Sequence, residues 1–261
     1  MSSGQHIAIA GAGPVGAVAA LALQQRGFAV TIIDRIKPMP GPHGLGMDIR
    51  NVALSRGSRQ LIESLITWPQ QAGMFKTMRV WEQWGVNALN FDAAELGSDC
   101  LGWIAEVAPL LQALWQQLEA NADIRVVLGD IQAVETDATG VMVTVAEETL
   151  HADFLFAADG ARSAVRNLLE VATDIWPTGQ SALTTVVETE HSHEHTAWQR
   201  FLVDGPLAFL PSKHEHYCSV VWSQSPASLE TNLGLADDEF SHRLGAALEN
   251  RLGRIVQVAQ R

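Results

Sequence analysis

Cysteine and positive charge are both scarce in this sequence, and no apolar run is long enough to span a bilayer. The two cysteines, Cys100 and Cys218, lie far apart and lack metal-ligand spacing. That excludes a disulfide framework or a cysteine-based zinc site and leaves two thiols, buried or at the surface, in a reducing compartment. Lysine and arginine number 17 against 29 aspartates and glutamates, a net charge of −12. Such a balance argues against a nucleic-acid backbone as partner and supplies no polybasic patch for anionic lipid. A membrane helix needs roughly 20 apolar residues in succession, and no stretch provides them. The N-terminus enters an apolar strand almost at once, leaving no room for a secretory leader, so the expected compartment is the cytoplasm. What the 261 residues do have is apolar content, 47% of the chain, enough to bury a sizeable core in one large or two modest domains.

The first motif is Gly11-Ala12-Gly13-Pro14-Val15-Gly16. Ile7 to Ala10 reads as a buried parallel strand. Gly11 permits the tight turn out of it, Gly13 lets backbone approach a pyrophosphate, and Gly16 lets the next helix pack close to the sheet. That helix is expected over Val15 to Arg26, with its N-terminal amides and positive dipole end toward the phosphates, and Gly27 ends it. Phe28 to Ile33 is the second strand. Asp34 follows it, placed to accept a hydrogen bond from a ribose hydroxyl and to repel a phosphorylated ribose. Strand, glycine turn, helix and acid in this order form a dinucleotide-binding fingerprint.

Two textures run along the chain. An α/β texture covers residues 6–34, a Pro- and Gly-rich loop from Lys37 to Gly46, a helix from Ser55 to Leu65, and a helix from Pro109 to Ala120. It continues through a strand from Ile124 to Leu128, a hairpin from Ile131 to Val145 and a strand ending at Asp159. A β-rich texture covers a hairpin of Met78 to Trp84 with Ala88 to Asp92, then strands Leu183 to Glu188, Trp198 to Leu202, Leu207 to Leu210 and Tyr217 to Trp222. Because the two interleave, a sheet domain inserted twice into a dinucleotide-binding domain accounts for the order. The expected boundaries are 1–76 and 104–180 for the binding domain, and 77–103 and 181–261 for the sheet domain.

The second motif, Ala158-Asp159-Gly160 with Arg162 and Arg166, adds a polar clamp that a plain nicotinamide-binding unit does not require. Several segments together resemble the FAD-dependent aromatic hydroxylases of ubiquinone biosynthesis, the polyprenyl-phenol hydroxylase relatives of para-hydroxybenzoate hydroxylase. They are Gly11 to Gly16, Asp34, Asp48 to Ser55, Leu101 to Glu106, Ala158 to Arg166, Leu207 to Pro211 and Val220 to Ser223. The similarity runs over essentially the whole chain. It implies an α/β fold: a Rossmann-like FAD-binding domain with an interleaved β-sheet substrate domain.

The resemblance also implies roles. Gly11, Gly13 and Gly16, with Pro14 and Val15, would cradle the FAD pyrophosphate, and Asp34 would bind the adenosine ribose. Arg50 would reach the flavin side of the cofactor. Asp159 and Gly160 would serve both FAD and the NADPH or NADH that reduces it, with Arg166 a structural or phosphate contact. The reaction implied is hydroxylation of an electron-rich phenol, with the protein orienting the ring and excluding water; no catalytic side chain is assigned. At Val107 the family commonly carries a polar residue, so no site is carried over there. The family's late Gly-Asp pair and Pro-rich glycine loop have no counterpart before Arg261. The expectation drawn from that is a C-terminally truncated form, inactive or poor in flavin, with exposed apolar surface that invites a homo-oligomer.

Other side chains have two readings. His191, His193 and His195 alternate as metal ligands on one strand face would, but a solvated loop between sheet strands accounts for them more simply, and no metal is expected. Trp81 and Trp84 suit sheet packing better than a substrate cavity. Arg56 and Arg59 read as solvated charges, and Asp48 as a cap on the turn before the Ser55 helix. The first fingerprint alone also allows an NAD(P)-dependent dehydrogenase, and the missing late segments allow a non-catalytic assembly subunit of a quinone-biosynthesis complex. A polyprenyl phenol as substrate would bring peripheral contact with the inner membrane or a biosynthetic complex.

Overall fold

The computed structural model describes residues 4–39, 41 and 43–261, with His43 described by its backbone alone. Pro40 and Pro42 of the expected loop lie outside the described residues. The chain divides into two compact units, one of Met1–Pro40, Leu61–Pro69 and Ala108–Ile175, the other of Gly41–Gln60, Gln70–Val107 and Trp176–Arg261. Against the expected boundaries, residues 41–60, 70–76, 104–107 and 176–180 group with the second unit.

The first unit is built on a parallel sheet whose strands run in the order Ile124–Leu128, Ala29–Asp34, His6–Ala10, Phe154–Ala157. Ala8, Ile9, Ala10, Ile32 and Ile33 are completely buried, which is why these strands read as continuous apolar runs rather than alternating ones. Helix Pro14–Gln25 crosses between the first two strands, burying Gly16, Ala17, Ala20 and Leu21. Helix Val107–Ala120 buries Leu110, Leu114, Trp115 and Leu118 at helical spacing. Asn121 Nδ2 donates to Gln24 Oε1 at 2.9 Å and so ties the ends of the two helices together. An antiparallel sheet of Ile131–Asp137, Gly140–Val145 and Glu148–Ala152 packs Val141, Val143, Val145 and Leu150 against Ala8 and Ile33. Its first two strands are the expected hairpin.

The second unit holds a seven-stranded mixed sheet in the order Ile255–Val258, Ser181–Thr189, Tyr217–Gln224, Gly205–Pro211, Thr196–Leu202, Thr77–Glu82, Ala88–Asp92. A smaller antiparallel sheet pairs Asn51–Leu54 and Gly73–Phe75 with Gly102–Glu106. The β-rich texture expected here also carries two helices that the sequence reading did not assign, Pro226–Gly234 and Asp237–Ala247. Ser225 caps the first by accepting from Ser228 N, with Pro226 at the first helical position. Asp237, Asp238 and Glu239 fill the first turn of the second, where negative charge suits the helix dipole. Phe240 and Leu244 of that helix, with Leu248 just beyond it, are buried against Trp81, Leu183, Leu207, Phe209, Val220 and Trp222. Trp81 therefore packs as expected, whereas Trp84 stands 79% exposed. Cys100 and Cys218 are both free and buried, and burial pushes both thiols above their ordinary pKa. Among the described residues no helix is long and apolar enough to cross a membrane.

Candidate functional site

The turn leaving strand His6–Ala10 is closed by Gly11 N donating to Ile33 O at 2.7 Å, with Gly11 at φ +94°. A Cβ on Gly11 would lie 2.5 Å from Ala158 O, and one on Gly16 would lie 1.8 Å from Gly11 O. Both glycines are thus required by backbone packed against backbone. Gly13 differs, since a Cβ there would meet nothing within 4 Å. Trp115 Nε1 donates to Ala12 O at 2.9 Å and fixes the turn from the side of the long helix.

Asp34 faces the same turn. Its Oδ2 accepts from Ala12 N at 2.6 Å and its Oδ1 from Arg35 N at 2.7 Å, so two backbone donors orient the carboxylate and leave lone pairs for a further donor. Across the turn, Asp159 Oδ2 accepts from Val165 N at 3.2 Å. Its Oδ1 is buried with no hydrogen-bond partner among the described residues. A buried carboxylate oxygen left without a donor is costly, which marks it as the acceptor for something else. Gly160, at φ +80°, turns the chain, and Ser163 Oγ accepts from Arg166 N at 3.0 Å to start the short helix Ala164–Leu168. Arg166 Nη2 donates to Ala161 O at 2.6 Å, so the arginine braces the loop from within.

These groups surround a cleft of about 590 Å³ lined by Gly11, Gly13, Pro14, Val15, Asp34 and Arg35, by Gly129, Asp130 and Ile131, and by Asp159, Gly160 and Arg162. The size is that of a cofactor site. Each lining stretch lies at or just past the C-terminal end of one parallel strand, where open α/β sheets bind their ligands. Seven of the nine residues expected at the site line this cleft: Gly11, Gly13, Pro14, Val15, Asp34, Asp159 and Gly160. Gly16 packs behind the turn instead. Arg50 belongs to the second unit, where its guanidinium pairs with buried Asp48 at 3.4 Å and is half exposed.

Sequence reasoning missed Arg35, Gly129, Asp130 and Ile131, although the strand Ile124–Leu128 was legible and its end was a signal. Arg162 was noted without a role. Asp48 caps the turn before the helix as expected, its Oδ1 accepting from Arg50 N, while Ser55 Oγ accepts from Ser58 N at the helix start itself. Arg56 and Arg59 are not merely solvated. Arg56 donates to Ser98 Oγ at 2.7 Å and Arg59 lies 4.1 Å over the Trp103 ring. The histidine loop joins two strands as expected, but His193 is buried rather than solvated. Its Nδ1 accepts from His195 N, and its Nε2 pairs with His214 O. Burial holds its pKa below the ordinary histidine value. Among the described residues no cluster of three or more metal-ligating side chains is found.

A glycine turn with open space over Gly13, an oriented Asp34 and an unsatisfied Asp159 oxygen suit a dinucleotide rich in hydroxyls and phosphates. Residues 5–251 match the family described as FAD binding domain. The chain belongs to that family. It is 34% identical over 260 residues to a 3-demethoxyubiquinol 3-hydroxylase of Escherichia coli (strain K12), covering 97% of this chain and 66% of that protein. It is 31% identical over 211 residues to a mitochondrial ubiquinone biosynthesis monooxygenase of Mus musculus, covering 75% of this chain and 44% of that protein. The chain thus spans less than two thirds of the length of these relatives. In fold it resembles PqsL of Pseudomonas aeruginosa, with a TM-score of 0.73 at 17% identity over 97% of this chain and 67% of that one. It also resembles HpxO of Klebsiella pneumoniae solved with FAD and uric acid, with a TM-score of 0.66 at 19% identity over 94% of this chain and 61% of that one. The α/β fold of a flavin-binding protein is therefore as the sequence led one to expect.

Proposed function

We propose that the protein is a flavin-dependent monooxygenase that hydroxylates the aromatic ring of a polyprenyl phenol in ubiquinone biosynthesis, with NADPH or NADH as electron donor. The observation that carries this reading is the 34% identity to 3-demethoxyubiquinol 3-hydroxylase along nearly the whole chain, supported by a cleft lined by Gly11, Gly13, Asp34 and Asp159. FAD, when bound, supplies the redox and oxygen chemistry. The chain's own residues bind and orient it. Gly11, Gly13 and Gly16 shape the turn for the pyrophosphate, and the amides of Pro14–Gln25's first turn, after Pro14, give it hydrogen-bond donors at the positive end of the helix. Asp34 would accept from the adenosine ribose. Asp159, whose Oδ1 is buried and unpartnered, would hold the cofactor by accepting a hydrogen bond from it, with Gly160 allowing close backbone approach. Arg50, oriented by Asp48, is assigned as a further cofactor-binding residue.

A polyprenyl tail partitions into lipid, so the reading includes peripheral association of a cytoplasmic protein with the inner membrane or a biosynthetic complex. The test is bound flavin by visible absorbance together with NADPH-dependent oxygen uptake stimulated by a prenylated phenol. Asp159→Ala is expected to lower both strongly. Unchanged flavin content and turnover in that variant, or oxygen uptake indifferent to the phenol in the natural protein, would overturn the assignment.

A further inference from the structure

A second cavity, of about 210 Å³, lies on the seven-stranded sheet and is lined by Arg79, Trp81, Ala88, Asn90, Trp198 and Arg251. The strand register explains the grouping: Arg79 pairs with Asn90 on one side and Trp198 on the other, and Trp81 pairs with Ala88. Since Arg79 and Trp81 are two residues apart, all five project from one face. Arg251 joins them from beyond helix Asp237–Ala247. The two indoles meet edge to face at 6.2 Å. The Arg79 guanidinium lies 5.2 Å over the Trp198 ring and the Arg251 guanidinium 5.5 Å over the Trp81 ring.

The cavity is rich in donors and poor in acceptors. Trp81 Nε1 and Trp198 Nε1 are both buried without a hydrogen-bond partner, and Trp81 as a whole is only 7% exposed. Indole nitrogens can only donate, and buried donors normally find an acceptor. Arg251 is paired with Glu249 through Nε and Nη2, whereas Arg79 has no ion pair among the described residues. Two guanidiniums line the cavity beside two tryptophans whose indole N–H groups are unsatisfied, in a chain of net charge −12, where background charge repels anions. An oxyanion is the ligand chemistry that such a donor set recognises. The remaining wall is formed by the two indoles with Ala88 and Asn90, and the volume falls below that of drug-sized pockets.

We infer that this cavity is a binding site for a small aryl carboxylate, its carboxylate accepting from Arg79 and the indole N–H groups and its ring packed beside the two indoles. The probe is benzoate, titrated into the full chain labelled with nitrogen-15 at tryptophan. The two indole N–H resonances are assigned by their loss in Trp81→Phe and Trp198→Phe. The expected result is a saturable shift of both resonances. Benzamide, the neutral isostere, and acetate, which lacks the ring, should each bind about tenfold or more weakly. Arg79→Gln should weaken benzoate by a similar factor while the resonance of Trp115, in the first unit, stays in place and reports an intact fold. Absence of a shift at either indole, equal shifts with benzamide or acetate, or benzoate binding indifferent to Arg79→Gln would each overturn the site. None of these outcomes depends on bound flavin, so failure here leaves the proposed function standing.

Discussion

Gly16 and Gly13 of the motif make separable predictions at the scale of single residues. Gly16→Ala drives a Cβ into Gly11 O and is expected to cost stability, roughly 1–3 kcal/mol, seen as a lower urea midpoint. Gly13→Ala meets nothing in the protein and should leave that midpoint unchanged while lowering flavin content. A Gly13→Ala variant that unfolds early, or one that holds flavin normally, would contradict the geometry. His193 gives a pH prediction. Burial lowers its folded-state pKa, so below the ordinary value of about 6.5 the unfolded chain takes up a proton that the folded chain resists. The stability contribution is full above that value and declines as pH falls through it. The difference in unfolding free energy between the natural protein and His193→Gln should therefore shrink from about pH 7.5 to about pH 5.5; a constant difference would rule out His193 as the titrating group. The glycines and both acids were legible in sequence because each is demanded by local backbone or by spacing from it. The burial of His193 was not, because alternating histidines look alike whether a neighbouring turn covers them or not.

At the scale of elements, the parallel strands and the two long helices of the first unit were readable from apolar runs and helical spacing. Helix Asp237–Ala247 was not read, although Phe240, Leu244 and Leu248 recur every four residues. Its polar first turn and low apolar content hide a stripe only one residue wide. That stripe nevertheless closes the core of the second unit. Phe240→Ala, which empties a fully buried position against Trp222, is expected to cost about 3–5 kcal/mol, measurable by urea unfolding. A loss under about 1 kcal/mol would mean that the helix is not packed as described. The short strands Asn51–Leu54 and Gly73–Phe75 were also missed, because they carry no alternation and exist only through pairing with Gly102–Glu106. Tertiary pairing overrides weak local preference in such segments.

For the molecule as a whole, the two units have separate cores, and all the residues lining the larger cleft belong to the first. Ligand binding to that unit should stabilise it by mass action, about 2.7 kcal/mol at a concentration of about 100 times Kd. Hydrogen exchange with and without FAD tests this: slowed exchange is expected at residues 11–16, 34–35, 129–131 and 158–165, and protection absent from those segments would refute the cleft as the FAD site. The cleft has one more use. Its contributors sit at or one step past the ends of four strands, so a slip of one residue in any strand carries its contributor about 3.3 Å away. The yellow colour of bound flavin would then serve as a ruler of strand alignment, fading in any variant whose sheet has paired out of step even if its helices and overall compactness survive.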